Sequence, residues 1–348
     1  MNSKPELVKA ILLEIDQRKN YLEGEEIETI YFGGGTPSVL SEDELNSILD
    51  KIKKEFKVAK NAEISLECNP DDLTEEKLEQ LKKAGINRLS IGLQSFNEEE
   101  LKWMNRAHTA AESLNCVKLA QDKGFDNITI DLIYGSKFQD MESWERTLQT
   151  VLNLNVQHIS AYNLTIEAKT KLGLDHKKGT EPEVSEELSS EQFKKMIEVL
   201  QKNKFVHYEI SNFGKANFFS KHNSNYWKGT RYLGLGPAAH SFNTESRQWN
   251  ISSNSAYIQK VNANELYFEK ETLTTQEQYN EYILTRLRTT WGCDKKEIEK
   301  RFGKEVLSSF EITVKKYQNY FDSKDGIITL NIEGKLKADF LASEFFLE

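Results

Sequence analysis

Short β-rich runs alternate with stretches of helically spaced apolar residues along roughly the first two thirds of the chain, and no other feature limits the fold so tightly. Such alternation is the pattern of repeated strand and helix units and of a parallel sheet with helices on its faces. Leu7, Ile11 and Ile15, with Val8 and Leu12 beside them, predict an opening helix. A strand is expected over 27–32, then a helix over 41–56 capped by Ser41, with Glu42, Asp43 and Glu44 in its first turn. The unit repeats as strand 63–66 with helix 74–84, which Gly85 stops, and as strand 88–93 with helix 113–123. Strand 127–133 with helix 143–153 and strand 158–162 with helix 186–203 follow, and a last strand over 206–210 closes the series.

Three domains are expected: an α/β unit over 1–211, a loop-rich segment over 212–272 with short strands packed against the sheet mouth, and a module over 273–348. In the module, helices over 276–288, 295–302 and 306–322 precede alternating residues at 326–330 and 335–338, an order like that of a winged helix. The 348 residues are 38% hydrophobic, enough for a real core, and the net charge of −9 argues against a nucleic-acid clamp. Lys295, Lys296, Lys300, Arg301 and Lys304 form a local basic cluster, but Glu297, Glu299 and Glu305 interleave with it, as on a solvated helix face. No nucleic-acid partner is expected. Lys4, Glu6, Lys9 and Glu14 interrupt the apolar positions of the start, and no apolar run approaches the ~20 residues of a membrane span. A cytoplasmic protein without a membrane span is therefore expected. Its three cysteines, Cys68, Cys116 and Cys293, are odd in number and far apart, which suits a reducing compartment and fits no short-spaced metal motif.

Polar residues gather where the strands end. In α/β sheets the carboxyl ends of the strands hold the ligand, because the loops there vary without disturbing the core. The first strand ends in Gly33, Gly34, Gly35, Thr36 and Pro37, the second in Glu67, Cys68, Asn69 and Pro70, and the third in Gln94 and Ser95. Asp131 lies in the fourth, and Tyr162 and Asn163 end the fifth. Three glycines expose backbone N–H and C=O groups that a ligand's amine or carboxylate can approach, although a tight turn alone explains such a run equally well. Neither the spaced glycines nor the Lys-Ser/Thr pair of a phosphate loop is present. Buried unpaired carboxylates are costly, so Glu67 and Asp131 each need a cation or a ligand hydroxyl, and Arg106 is a candidate partner.

The runs from Phe32 to Pro37, Glu67 to Pro70, Ile91 to Phe96, Asn105 to His108, Ile130 to Gly135 and Tyr232 to Ser241 carry a resemblance. In that order they are similar to the HemW family of radical-SAM haem chaperones, near kin of the oxygen-independent coproporphyrinogen III oxidases. The resemblance covers essentially the whole chain. It implies a partial (β/α)6 barrel, here without its first strand, that binds S-adenosylmethionine at its mouth. By the same resemblance, the turn of Gly33, Gly34, Gly35, Thr36 and Pro37 holds the methionine amino group. Glu67, Gln94, Arg106 and Asp131 bind the carboxylate, ribose or neighbouring polar groups, for which acids, an amide and a guanidinium are suited. The family's His-Asn-x-x-Tyr-Trp motif stands here as His222, Asn223, Tyr226 and Trp227, and it implies haem contact with His222 on the iron. His240 and His207 are candidates for a second ligand.

The resemblance further implies a [4Fe–4S] cluster held by a Cys-x-x-x-Cys-x-x-Cys loop, which this sequence lacks. A translation start upstream of Met1 is expected rather than loss of the chemistry, because without the family's first strand 27–32 becomes an exposed sheet edge. The expected function is uptake of haem and delivery to a haem-requiring recipient protein. Oxidative decarboxylation of coproporphyrinogen III and a truncated, chemically inactive form are the alternatives, and a homodimer is left open.

Overall fold

The computed structural model of the protein describes residues 4–167, 170–178 and 185–347. Met1, on which the expectation of an upstream start turns, lies outside them. The first part of the chain runs α1 (Lys4–Arg18), β1 (Ile27–Phe32), α2 (Glu42–Glu55), β2 (Val58–Cys68), α3 (Glu75–Ala84), β3 (Arg88–Gln94), α4 (Glu98–Trp103) and α5 (Ala110–Asp122). There follow β4 (Ile128–Tyr134), α6 (Met141–Asn153), β5 (His158–Asn163), α7 (Lys171–Lys177), α8 (Glu186–Lys202), β6 (Val206–Glu209) and β7 (Asn212–Gly214).

The seven strands form one open sheet in the order β1-β2-β3-β4-β5-β7-β6. Strands β2 to β5 pair in parallel, which sets Glu67 opposite Ser90 and Asp131 opposite Ser160. Parallel neighbours need long crossovers, and the helices supply them. Leu66, Leu89, Ile91, Ile130, Leu132 and Ile159 are fully buried, and in β3 and β4 the apolar residues recur at alternate positions with Ser90 and Asp131 half-buried between them. The helices start on local signals: Ser41 and Glu44 form a capping box on α2, Thr109 and Glu112 another on α5, and Gly85 ends α3 at φ 97°.

The α/β reading holds, with two differences in the sheet. Strand β2 begins at Val58, well before the expected 63, because Lys60 and Asn61 interrupt its apolar pattern. The strand beside β5 is β7, antiparallel to both β5 and β6. Ile210 and Ser211 are too few to carry a crossover, so the chain turns straight back between its neighbours.

Two compact units divide the chain, one made of Tyr31–Val39 with Ile64–Ser220, the other of the residues up to Ile30, Leu40–Glu63 and those from Lys221 on. In the second unit, α9 (Lys221–Trp227) and the antiparallel strands β8 (His240–Phe242), β9 (Ser246–Asn250) and β10 (Phe268–Thr272) join α10 (Asn254–Asn262). The short strands were expected; the two helices carry too little apolar periodicity to be read from sequence. Glu14, which reads as a charge breaking the pattern of α1, is buried. Its carboxylate accepts the Gly236 N–H at 2.7 Å, the Asn250 amide at 2.7 Å and the Tyr257 hydroxyl, while burial raises its pKa.

The C-terminal module places α11 (Thr275–Leu287), β11 (Cys293–Asp294), α12 (Lys295–Phe302) and α13 (Lys304–Lys316) before β12 (Phe321–Lys324) and β13 (Ile327–Leu330), then α14 (Ile332–Lys335) and α15 (Ala338–Ser343). The ribbon is thus β12 with β13, closed by Asp325 and Gly326, both at positive φ. The strand expected at 335–338 does not form. The Asn331 side chain caps α14 by accepting the Gly334 N–H at 3.0 Å, and a Cβ at Gly334 would strike the Tyr320 carbonyl. No helix among the described residues is long and apolar enough to cross a membrane.

Candidate functional site

The turn after β1 needs its glycines for two reasons. A Cβ at Gly33 would lie 2.5 Å from Tyr31 Cε1 and 2.9 Å from Glu67 Oε1, whereas Gly34 and Gly35 stand in open space at φ 72° and 73°. Glu67, near the end of β2, ties this turn down: Oε1 accepts the Tyr31 hydroxyl at 2.7 Å and Oε2 the Gly34 N–H at 3.1 Å. Thr36 accepts the Val39 N–H at 3.2 Å, Pro37 opens a single 3₁₀ turn, and Ser38 Oγ donates to Asp72 at 2.6 Å.

Asp131 on β4 is hydrogen-bonded by hydroxyls, with Ser90 Oγ 3.3 Å from Oδ2, and the charge of Arg88 also acts on it. Burial, and then the charge of Glu67, push its pKa up to about 7. Burial, followed by the charge of Asp131, raises the Tyr162 phenol to about 12. The two acids, Glu67 near the end of β2 and Asp131 midway along β4, therefore share one electrostatic neighbourhood.

Gln94 ends β3 at φ 66°, where the pairing with β4 shifts register. A Cβ at Gly92 would sit 2.9 Å from Gln94 Nε2 and 3.5 Å from Arg106 Nη2, so this glycine leaves room for both the amide and the guanidinium. Arg106 Nη2 donates to Asn69 Oδ1 at 2.9 Å and to the Gly92 carbonyl at 3.1 Å, and its Nε is buried with no acceptor. The expected pairing of Arg106 with Glu67 or Asp131 does not form. Asn69 and Gly92 take its donors, and hydroxyls serve Asp131.

His222, Asn223, Tyr226 and Trp227 lie on α9, a helix where loop was expected. The buried Glu63 carboxylate, on β2, accepts the N–H of Lys221 at 3.1 Å and of His222 at 3.0 Å, which fixes the first turn. His222 Nδ1 is 3.1 Å from Thr29 Oγ1 on β1, and burial lowers its pKa to about 4, so the ring is neutral near pH 7. Tyr226, one turn on and 41% exposed, meets the ring edge-on with centroids 4.9 Å apart. Trp227 turns to another face, where the Arg288 guanidinium covers it at 5.4 Å. Asn223 is half-buried in the first turn. His207 stacks on Phe213 at 4.2 Å with Nε2 2.9 Å from the Ile210 carbonyl, a packing role, and His240 is exposed on β8.

A family model described as the Radical SAM superfamily matches residues 4–151, and one described as the HemN C-terminal domain matches 273–334. The "Heme chaperone HemW" of Bacillus subtilis (strain 168) is 32% identical over 327 residues, 93% of this chain and 86% of that protein. That of Lactococcus lactis (strain IL1403) is 34% identical over 278 residues, 80% of this chain and 73% of that protein. The chain belongs to the HemW family. In fold, this HemW-family chain is similar to coproporphyrinogen III oxidase (HemN) from Escherichia coli, a radical SAM enzyme. The TM-score is 0.83 at 22% identity, over 98% of this chain and 83% of that one.

Membership of the Radical SAM superfamily implies S-adenosylmethionine and a [4Fe–4S] cluster. The strand-end residues fit the first: a buried guanidinium nitrogen without an acceptor and a carboxyl hydrogen-bonded by hydroxyls suit a ligand with a carboxylate and hydroxyls. The described cysteines do not fit the second. Cys68 ends β2, Cys116 lies within α5 and Cys293 on β11, all buried, and no three His, Cys, Asp or Glu among the described residues group as metal ligands. Burial raises all three thiols, Cys116 to about 12.

Sequence reading assigns no role to Tyr31, Asn69, Gly92, Ser90, Thr29 or Glu63. Asn69 sits inside a motif and Gly92 two residues before Gln94, so both carried a signal; Glu63 and Thr29 meet His222 only across the fold.

Proposed function

We propose that this protein binds haem and delivers it to haem-requiring proteins of the cytoplasm, on a scaffold that also binds S-adenosylmethionine. The observation that carries the reading is His222: a neutral imidazole, anchored at its backbone by Glu63 and at Nδ1 by Thr29, beside the part-exposed ring of Tyr226. Kinship with curated heme chaperones over most of the chain supports it. His222 would ligate the iron and Tyr226 cover part of the porphyrin, with Asn223 beside them. Trp227, beneath Arg288, contributes by bracing α9.

For S-adenosylmethionine, the backbone of Gly33 to Pro37 would receive the amino group, Arg106 the carboxylate through donors it does not spend on Asn69 and Gly92, and Asp131 a ribose hydroxyl. Glu67 acts mainly on the protein, since both its oxygens already hold the turn. Gln94 offers its amide to the nucleotide. The described cysteines do not fit a cluster.

Haemin titration tests the reading. A Soret shift that His222→Ala abolishes, followed by passage of the haem to an apo-haemoprotein, is the expected result. Decarboxylation of coproporphyrinogen III by the purified protein, with no haemin bound, overturns it in favour of the oxidase.

A further inference from the structure

A buried acid is costly unless other groups answer its charge, and those groups show what it holds together. Glu100, on α4, is 1% exposed, and neutral donors from two separate loops meet its carboxylate. The Ser95 hydroxyl, just past the end of β3, donates to Oε2. From the segment after β4, the Ser136 hydroxyl and the Gln139 amide donate to Oε1, the amide at 3.0 Å. Gln139 is itself tied to its strand: the same Nε2 donates to the Ile133 carbonyl at 2.9 Å, and its Oε1 accepts the Gly135 N–H at 3.1 Å. One carboxylate thus bolts the exit of β3 to the exit of β4.

Gln94 and Arg106 flank this bolt. Gln94, at φ 66°, holds an uncommon backbone conformation directly before Ser95, whose Oγ also accepts the Asn97 N–H at 3.0 Å. Helix α4 follows with six residues, well short of the ~12 that a helix needs to persist by itself. Asn97 caps its start, with Oδ1 accepting the N–H groups of Glu99 at 2.9 Å and Glu100 at 3.2 Å. At its end Asn105 turns left-handed at φ 54°, and the Arg106 N–H returns to the Leu101 carbonyl at 2.9 Å. Arg106 therefore leaves a closed, short helix in a direction set by how that helix is anchored.

We infer that Glu100 is a positioning residue for the nucleotide site: by bolting α4 to the loop after β4, it sets the direction in which Arg106 presents its guanidinium to a ligand carboxylate. The inference rests on the reading of Arg106 as the group that receives that carboxylate, and adds what holds it there. Leu101, also 1% exposed, packs the same helix, but apolar burial has no direction, whereas hydrogen bonds to two loops fix an orientation. Shut off from solvent, Glu100 acts only through Arg106. Its loss is therefore felt by a ligand that carries a carboxylate and not by one that lacks it.

The test uses the full chain with Glu100→Gln and, should that variant fold poorly, Ser136→Ala, which cuts the same tie from the β4 side with the loss of one oxygen. Calorimetric titration compares S-adenosylmethionine with 5′-methylthioadenosine, which keeps the nucleoside and lacks the carboxylate. Either variant is expected to bind the first about tenfold more weakly and the second within about twofold of the wild type. In an Arg106→Ala background, Glu100→Gln should cost no further affinity. NMR gives a reading without ligand: solvent exchange of the Arg106 Nε–H, buried in the wild type, should accelerate about tenfold or more in either variant. Equal weakening of the two ligands, or wild-type affinity and exchange in both variants, overturns the inference. Arg106→Ala that binds S-adenosylmethionine as tightly as the wild type instead overturns the carboxylate reading, while the exchange rates still decide whether Glu100 holds Arg106.

Discussion

The Glu67 carboxylate accepts the backbone N–H of Gly34 at 3.1 Å, so an acid at one strand end holds the glycine turn of its neighbour in place. Glu67→Gln keeps one acceptor and replaces the other with a donor, which cannot serve both Tyr31 and Gly34. The variant is expected to lose about 1–2 kcal/mol of stability and to bind S-adenosylmethionine about tenfold more weakly. Urea unfolding and calorimetric titration measure the two; unchanged affinity would show that the turn stays ordered without its anchor.

Gly33→Ala and Gly35→Ala should differ. The first drives a methyl into the Tyr31 ring and Glu67, at a cost of about 1–3 kcal/mol, and replacing Tyr31 by Ala in the same chain should recover part of it. The second meets open space and bears only the strain of φ 73°, about 1 kcal/mol. Thermal melts of the three variants rank them.

Asp131 gives the protein a pH dependence of known sign. Its folded pKa of about 7 lies above the ordinary carboxyl value, so the folded state holds the proton more tightly than the unfolded chain. Its contribution is fully present below about pH 4 and is lost as pH rises through 7. Asp131→Asn, which keeps a neutral group, should therefore gain roughly 2–4 kcal/mol over the wild type at pH 8 and little at pH 4.5. Urea midpoints of both proteins at the two values check this; a gain that is equal at both would contradict it.

Glu14→Ala should be the most damaging of these changes. It strands the Gly236 N–H, the Asn250 amide and the Tyr257 hydroxyl in a buried site, at about 3 kcal/mol or more, while Glu14→Gln retains one acceptor and should cost about half as much. Guanidinium unfolding separates the two, and equal losses would mean the packing of α1 rather than its carboxylate holds this region.

What could be read from the sequence was whatever is local. Ser41, Thr109 and Gly85 mark helix ends, and the apolar residues that recur along β3 to β5 announce strands. The site residues stood out because their strands end there. What stayed hidden depends on residues distant along the chain. Nothing near Glu14 says that it meets Gly236, and nothing near Glu63 says that it caps α9. Arg106 was matched to the acids by charge alone, whereas space over Gly92 decides where its guanidinium goes. The β12–β13 ribbon carried a signal, Asp325 and Gly326, that the alternation at 335–338 outweighed.

Because Cys68, Cys116 and Cys293 are all shut inside the protein with thiols raised by burial, the native chain should be silent toward alkylating reagents. A fluorophore or spin label attached to a cysteine introduced on the surface would then report from that position alone, with no need to strip the natural sequence of its own sulfur.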